Sequence, residues 1–343
     1  MSNIHETDVI IIGAGPVGLF AVFELGLYDM RAALIDTLDM VGGQCAELYP
    51  EKPIYDIPAF ATITGQGLTD NLMEQIKPFD PKFFLGQTAE TLDKTDAGWR
   101  LTTSDGNVIQ GKVIVIATGG GVFSPKKPSL VNLEAYEGHS VFYAVKQTER
   151  FKDKNLVIAG GGDSALDWCI YFQDFAKSVT LVHHRDGFRA APDSVSKMKK
   201  LVEDGKMQLE IAKLKALHGD APQISSVEVT RKSDGADHKI DADMMLAFYG
   251  LTMKPGTIDR FGIYLENNLV PVDTEKFQTN VPSIFAIGDI NTYPGKQKLI
   301  LSGFHEAALM AKGAFSVVYP EKKFRFQYTT SSTNLQNKLG VVA

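Results

Sequence analysis

One arrangement of residues occurs twice in the sequence and limits the folds that the chain can adopt. Residues 8–12 are almost entirely aliphatic and lead directly into the glycine-rich segment 13–18. The same order returns 147 positions later, where residues 155–159 precede the glycine-rich segment 160–165. Each copy is typical of a buried parallel strand followed by a tight turn and a helix. The repeat therefore predicts an α/β protein with two doubly wound units.

The first glycine motif has the pattern of a Rossmann-like dinucleotide-binding turn. Gly13 allows the tight turn, Gly15 lets the backbone approach a pyrophosphate, and Gly18 lets the helix pack against the strand. The helix presents free N–H groups and a positive dipole end to phosphate. Asp36 follows the next predicted strand, where a carboxylate accepts hydrogen bonds from ribose hydroxyls and repels a 2′-phosphate. The alternative is a solvent-exposed aspartate at a strand end.

The second motif differs from the first in the charge that follows it. Its turn is formed by Gly160, Gly162 and Ala165. Where the first unit has an aspartate, the second has residues 183–189, with the sequence His-His-Arg-Asp-Gly-Phe-Arg. Arg185 and Arg189 offer permanent positive charge to a 2′-phosphate, which predicts NADP rather than NAD. Exposed arginines are common, so this prediction depends on their position after the second strand of the unit.

Composition excludes several classes of protein. The 343 residues, 44% of them hydrophobic, suffice for two cores, and a net charge of −6 gives no general attraction to nucleic acid. The longest apolar runs fall short of the roughly 18 residues of a membrane span, and the polar amino terminus is unlike a secretory signal. We therefore expect a cytoplasmic protein. Cys45 and Cys169, 124 positions apart, predict neither a disulfide framework nor a metal site.

Together with residues 117–119 and Gly288-Asp289, the two motifs resemble the two-domain flavoproteins of the thioredoxin reductase type, over nearly the whole chain. The expected architecture has an FAD-binding domain of residues 1–122 and 282–343, interrupted by an NADP-binding domain of residues 123–281. The resemblance implies that Asp289 contacts the ribityl-phosphate region of FAD. It also implies that the last helix directs its amino end towards the isoalloxazine ring. Hinges are expected near residues 121–124 and 280–283.

The cysteines depart from the pattern of that family. A thioredoxin reductase needs a Cys-x-x-Cys before the second glycine motif to pass electrons to a disulfide, and residues 141–145 contain no cysteine. The glutathione reductase relatives have a pair spaced by five, but Pro50 stands where the partner of Cys45 would be. Disulfide chemistry is therefore not expected. Cys45 and Cys169 are interpreted as small packing residues.

Three segments are similar to the thioredoxin-reductase-like class of bacterial ferredoxin–NADP reductases, namely residues 42–52, 160–168 and 328–338. The resemblance implies that Gln44 hydrogen-bonds FAD, that Tyr49 stacks on its ring and that Ser164 belongs to the nicotinamide site. The carboxyl-terminal tail would cover the other flavin face. Further FAD contacts that it implies are Ala89 through its backbone, Phe123 at the domain crossover, Tyr328 as the ring cover, and Thr330.

This resemblance also implies the reaction. NADPH would deliver a hydride to N5 of FAD, which would release single electrons to ferredoxin or flavodoxin, with no protein acid or base required. The chain would form a homodimer, and an acidic partner would dock on basic residues, with candidates at Lys126-Lys127 and at Lys197, Lys199 and Lys200. The alternatives are a disulfide reductase, a flavin monooxygenase or other flavin dehydrogenase, and a non-enzymatic nucleotide-binding protein.

Overall fold

The computed structural model describes residues 4–254, 256–324 and 328–341. Its helices are α1 (Pro16–Gly26), α2 (Gly43–Leu48), α3 (Gly65–Ile76), α4 (Asp163–Phe172), α5 (Pro192–Glu203), α6 (Ile300–Val318) and α7 (Thr333–Lys338). Its strands are β1 (Ile4–Glu6), β2 (Val9–Ile12), β3 (Ala32–Ile35), β4 (Pro53–Ile54), β5 (Ile63–Thr64), β6 (Lys82–Phe84), β7 (Ala89–Thr95), β8 (Gly98–Thr103), β9 (Val108–Gly111), β10 (Val113–Ile116), β11 (Val122–Pro125), β12 (Val141–Phe142), β13 (Asn155–Gly160), β14 (Ser178–His183), β15 (Gln208–His218), β16 (Ser226–Arg231), β17 (Asp237–Asp241), β18 (Met244–Phe248), β19 (Leu251–Lys254), β20 (Val270–Pro271), β21 (Ile284–Ala286) and β22 (Asn291–Thr292).

The first compact unit contains the residues up to Val122 and those from Met253 onwards. Its central sheet is parallel, in the order β21-β10-β2-β3-β6. Side chains alternate between the faces of a strand, so Ile11 packs against α1 and α6. Its neighbour Ile10 packs on the other face, against the sheet β1-β9-β8-β7. Helices thus cover one face of the parallel sheet and a small second sheet covers the other.

The second compact unit is Phe123–Thr252. Its sheet has the order β12-β18-β13-β14-β15-β16-β17, parallel from β12 to β15 and antiparallel beyond. Helices α4 and α5 pack on one face in a core that contains Phe172 and Met198. The prediction of two doubly wound α/β units from the repeated glycine motif is confirmed. Within the described ranges, no helix combines the length and the apolar character needed to cross a membrane.

The second boundary between the units differs from the expected one. The expectation placed it near residue 281, but the chain returns to the first unit at Met253. Ile258 and Phe261 are the reason, because they are buried in the same core as Ile10. Ser283 also lies inside the first unit, where its Oγ accepts a hydrogen bond of 2.9 Å from Trp99 Nε1. Residues 280–283, where a hinge was expected, thus lie within the first unit and not at the point where the structure divides the two units. The connecting strands β11 and β19 pair with each other.

Candidate functional site

The first glycine turn connects β2 to α1. At Gly13 the backbone φ is +111°, and a Cβ there would lie 2.3 Å from the carbonyl oxygen of Ala117. A Cβ on Gly18 would lie 2.1 Å from the carbonyl oxygen of Gly13. Gly15 is different, because the nearest atom to a Cβ there would be the Cα of Gly43, at 3.9 Å. Packing within the protein therefore requires glycine at 13 and 18 but leaves space at 15, beside the amino end of α1.

Asp36 comes directly after β3 and turns back towards this glycine turn. Its Oδ2 accepts a hydrogen bond of 2.6 Å from the N–H of Ala14, and its Oδ1 accepts one of 2.9 Å from the N–H of Leu38. Burial raises the pKa of Asp36, while these backbone donors act in the opposite direction. The carboxylate is therefore held at the turn rather than exposed at a strand end. Each oxygen retains a lone pair that can accept a ribose hydroxyl.

The segment that contains Gln44 and Tyr49 packs on the same turn. The N–H of Gly42 donates a 2.8 Å hydrogen bond to the carbonyl of Ala14, and a Cβ on Gly43 would lie 3.0 Å from Gly15 Cα. Helix α2 then carries Gln44, which is half-buried. Tyr49, also half-buried, follows the helix, and its hydroxyl accepts a 3.5 Å hydrogen bond from Cys45 Sγ. Burial raises the pKa of Tyr49 and of Cys45.

A buried atom without a partner among the described residues belongs to Thr118, whose backbone nitrogen would lie 3.0 Å from a Cβ on Gly13. Thr118 follows β10, and its Oγ1 is buried with no hydrogen-bond partner in the part of the chain that the structure describes. A buried hydroxyl without a partner costs free energy. Both the open space at Gly15 and the unsatisfied Thr118 therefore fit a dinucleotide such as FAD.

Ala89, the first residue of β7, is buried, and its carbonyl accepts a hydrogen bond from Thr257 Oγ1.

Asp289 lies in a short turn after β21. Burial raises its pKa, and the charges of Lys296 and Lys298 lower it. Behind the turn, Lys296 forms an ion pair with Glu306 of α6, and both side chains are almost entirely buried. Neither residue was predicted from the sequence. The available signal was the glutamate within an otherwise apolar part of the last helix, because a carboxylate is fully buried only when it is paired.

The second glycine turn connects β13 to α4. A Cβ on Gly160 would lie 2.7 Å from the carbonyl oxygen of Phe248, whereas a Cβ on Gly162 would meet no atom within 4 Å. Ala165, at the third motif position, is fully buried. Ser164 is exposed in the first turn of α4. The space at Gly162 corresponds to the space at Gly15 in the first unit and fits a second dinucleotide.

The basic loop of residues 184–191 is tied to this second turn. The N–H of Arg189 donates a 2.8 Å hydrogen bond to the carbonyl of Gly161, and the N–H of Ala191 donates one of 2.8 Å to Asp163 Oδ1. His183 packs beneath the turn, since a Cβ on Gly161 would lie 2.2 Å from its ring. Arg185 Nε is buried and has no hydrogen-bond partner among the described residues. A guanidinium in this loop whose Nε lacks a partner among the described residues fits the 2′-phosphate of NADP.

The described part of the carboxyl-terminal tail contacts the first unit at Asp29, away from the glycine turn. Asn334 of α7 donates a 3.1 Å hydrogen bond to Asp29 Oδ1, and Lys338 pairs with the same carboxylate. Asp29 follows the carboxyl end of α1, about 16 Å along that helix from the glycine turn. Tyr328 and Thr330 are exposed. Their role as flavin contacts stays a prediction, as does that of the half-buried Phe123 in β11.

Comparison with known proteins gives a consistent result. Residues 7–311 match the model of the pyridine nucleotide-disulphide oxidoreductase family. The chain is 61% identical to a ferredoxin–NADP reductase of a Bradyrhizobium species, over 99% of this chain and 100% of the relative. It is 60% identical to a ferredoxin–NADP reductase of Parvibaculum lavamentivorans, over 98% of each chain.

Solved structures of thioredoxin reductases have the same fold. The enzyme of T. acidophilum superposes with a TM-score of 0.76 at 23% identity, over 91% of this chain and 98% of that one. The enzyme of Lactococcus lactis superposes with a TM-score of 0.75 at 25% identity, over 92% of this chain and 99% of that one. The chain therefore belongs to the pyridine nucleotide-disulphide oxidoreductase family and, within it, to the ferredoxin–NADP reductases of the thioredoxin-reductase-like class.

Proposed function

We propose that this oxidoreductase transfers electrons between NADPH and ferredoxin or flavodoxin, with FAD as its bound cofactor. The observation that carries the proposal is the pair of glycine turns. In each turn, the space beside the central glycine, Gly15 or Gly162, is not filled by atoms of the residues that the structure describes. One space is at the turn that Asp36 contacts, and the other is at the turn to which the loop carrying Arg185 is hydrogen-bonded. The two spaces fit two dinucleotides that differ at the ribose 2′ position. FAD, when bound, supplies the exchange between the two-electron chemistry of nicotinamide and the one-electron chemistry of ferredoxin.

The residues of the first unit would bind and orient FAD. The N–H groups at the start of α1 would bind the pyrophosphate beside Gly15, and Asp36 would accept the ribose hydroxyls. Thr118 Oγ1 would gain the hydrogen-bond partner that it lacks among the described residues. Gln44 and Asp289 would hold the remainder of the cofactor, with Tyr49 against its ring. In the second unit, the start of α4 and the basic loop would hold NADPH. No side chain is assigned as a catalytic acid or base.

The cysteines favour this function over disulfide reduction. Cys45 and Cys169 are both buried and free, and burial raises the pKa of each thiol. A thiolate is the form that exchanges with disulfides, so a raised pKa and a buried position both reduce reactivity. The family name refers to disulphides, but this chain has only these two cysteines and neither is placed for that reaction.

The lysine candidates for a docking surface are partly neutralised. Lys197 and Lys200 of α5 form ion pairs of 2.8 Å and 3.8 Å with Asp193 and Asp204, and Lys127 forms one of 2.7 Å with Glu137. Each such pair reduces the local positive potential that an acidic partner would meet. Ferredoxin docking on the second unit would therefore rely on a positive potential that these ion pairs weaken and that salt screens further.

Two further parts of the proposal concern motion and assembly. The two units would rotate about the paired strands β11 and β19 to present nicotinamide to the flavin. A disulfide or chemical crosslink between the units should then reduce turnover, and full turnover of the crosslinked protein would contradict the proposed rotation. The chain would form a homodimer, which sedimentation or light scattering at micromolar concentration measures directly.

The test of the function is electron transfer under argon. The purified protein, with its bound flavin verified by absorbance, is supplied with NADPH and cytochrome c, with and without ferredoxin. We expect cytochrome c reduction to depend strongly on ferredoxin, and a disulfide substrate to give no turnover. NADPH-driven bleaching of the flavin without transfer to ferredoxin or flavodoxin would leave a flavin dehydrogenase and refute the partner. Bound FAD that NADPH does not reduce would refute the enzymatic function.

A further inference from the structure

A buried ion pair lies directly behind the Gly288–Asp289 turn. Glu306, on α6, is fully buried, and the side chain of Lys296 is only 6% exposed. Removing two charges from water is costly, and mutual attraction offsets that cost only when the geometry is good and the other hydrogen-bonding positions are satisfied. A buried ion pair whose carboxylate is fully hydrogen-bonded therefore indicates a role that two apolar side chains could not perform.

Four donors satisfy the carboxylate of Glu306. Its Oε2 accepts hydrogen bonds from the N–H of Gly288, at 2.7 Å, and from Asn291 Nδ2, at 2.8 Å. Its Oε1 accepts one from the hydroxyl of Tyr293, at 2.9 Å, and one from Lys296 Nζ. All four partners are hydrogen-bond donors, and together they occupy both oxygens of the side chain.

The ion pair forms hydrogen bonds with both the backbone N–H and the backbone carbonyl of Gly288. Glu306 accepts from the N–H of Gly288, and Lys296 Nζ donates a 3.0 Å hydrogen bond to its carbonyl oxygen. Gly288 has a φ of +78°, in the left-handed region that glycine adopts without strain. The conformation that places Asp289 is thus fixed on both sides by opposite charges.

We infer that Lys296 and Glu306 are positioning residues for FAD, which hold the Gly288–Asp289 turn in its binding conformation and keep the local charge balanced at zero. This inference rests on the proposed function, because it assumes that Asp289 contacts FAD. Burial is the largest influence on the pKa of Asp289 and raises it; the charges of Lys296 and Lys298 lower this pKa and that of Glu306 raises it. The charge of Asp289 in turn raises the pKa of Cys45 and Tyr49. Lys296 and Glu306 act on the pKa of Asp289 in opposite directions, so the loss of either member leaves one uncompensated charge.

The two members of the pair make opposite predictions. Reduced flavin carries more negative charge than oxidised flavin, so an uncompensated Lys296 favours the reduced form and an uncompensated Glu306 disfavours it. Glu306→Gln should therefore raise the two-electron potential of the bound flavin, and Lys296→Met should lower it. A tenfold change in the relative affinity for the two forms corresponds to about 30 mV. We expect shifts of at least this size, with a smaller shift in the double variant.

The experiment uses the full chain with its flavin and measures the potential by equilibration with reference dyes at pH 8, together with the dissociation constant of FAD. Each single variant should weaken FAD binding at least tenfold, and the double variant less than either. Lys296→Arg, which keeps the charge, should restore the potential lost in Lys296→Met. The control is Lys112→Met, because Lys112 binds the carbonyl of Val318 at the other end of the same helix, at 2.8 Å. Its potential should be unchanged.

Shifts of the same sign, or none, in the two single variants would overturn the inference, because a purely structural pair has no reason to act with opposite signs. If Glu306→Gln does not fold, Tyr293→Phe takes its place, because it removes one hydrogen-bond donor from Glu306. An unchanged FAD affinity in Tyr293→Phe, together with an unchanged flavin potential in Lys296→Met, would also overturn the inference. A parent chain that does not retain FAD would refute the proposed function itself. A parent chain that retains FAD, with variants that show no opposite shifts, would refute only this inference.

Discussion

A methyl group added at Gly162 tests whether the space in the second glycine turn belongs to a ligand. The Cβ that Gly162→Ala introduces would meet no atom within 4 Å. The residue is the N-cap of α4, with φ of −105° and ψ of −179°, an extended conformation that alanine adopts readily. We therefore expect Gly162→Ala to fold normally and to lose affinity for NADPH.

The magnitudes follow from opposing effects. A Gly to Ala change stabilises a protein by about 0.4–1 kcal/mol where the backbone conformation suits alanine. Alanine is a poorer N-cap than glycine by a similar amount. The free energy of unfolding should therefore change by less than about 1 kcal/mol. In the complex, the methyl group would displace the pyrophosphate from a backbone N–H. Such hydrogen bonds to a charged group contribute about 1.5–3 kcal/mol. This corresponds to a rise in KM for NADPH of about 10- to 150-fold.

The neighbouring residue provides a matched control. A Cβ on Gly161 would lie 2.2 Å from the ring of His183. That ring has little freedom to move, because it is buried, stacks on Phe188 with 5.0 Å between centroids, and lies 3.2 Å from the carbonyl of Gly187 through Nε2. Overpacking of this kind costs about 1–3 kcal/mol. Gly161→Ala should therefore lower the stability of the second unit, which Gly162→Ala should leave almost unchanged.

The assay combines thermal unfolding with steady-state kinetics. Both variants are first checked for the absorbance of bound flavin, and KM for NADPH is then measured with ferredoxin at saturation. A Gly162→Ala variant with parental KM would refute the assignment of this space to a nucleotide. Equal losses of stability in the two alanine variants would refute the packing argument that separates them.

Three further predictions concern other residues. Burial raises the pKa of Glu24 from 4.5 to about 7, so the folded state binds more protons than the unfolded state between these pH values. The free energy of unfolding should therefore fall as the pH rises from about 4.5 to 7, by up to about 3 kcal/mol. Denaturant titrations should show a weaker pH dependence of stability in Glu24→Gln, and an unchanged dependence would contradict the assignment to Glu24. Cys45→Ala and Cys169→Ala together should keep ferredoxin-dependent turnover within threefold, and complete loss in a folded, flavin-bound protein would show that a thiol takes part. Arg185→Ala should raise KM for NADPH about tenfold while KM for NADH stays the same, and parallel changes for both nucleotides would place Arg185 away from the 2′-phosphate.

Local patterns account for the features that were correctly predicted. The buried strands β2 and β13 agree with their predicted ranges to within one residue, because a run of aliphatic residues bounded by glycine has few other stable arrangements in a parallel sheet. The family and its electron-transfer activity were also recognised from short motifs and from the absence of a cysteine pair. These signals act between neighbours in the sequence, so no knowledge of distant contacts is needed to interpret them.

Contacts between distant parts of the chain determined the rest. Residues 256–263 have no strong pattern of their own, yet Ile258 and Phe261 complete a core around Ile10 and so move the second unit boundary to residue 252. The ion pair of Lys296 and Glu306 also depends on tertiary structure, since the apolar surroundings of Glu306 in its helix do not identify its partner. A buried charge is stable only when its partners arrive from other elements, and the fold alone brings those partners together.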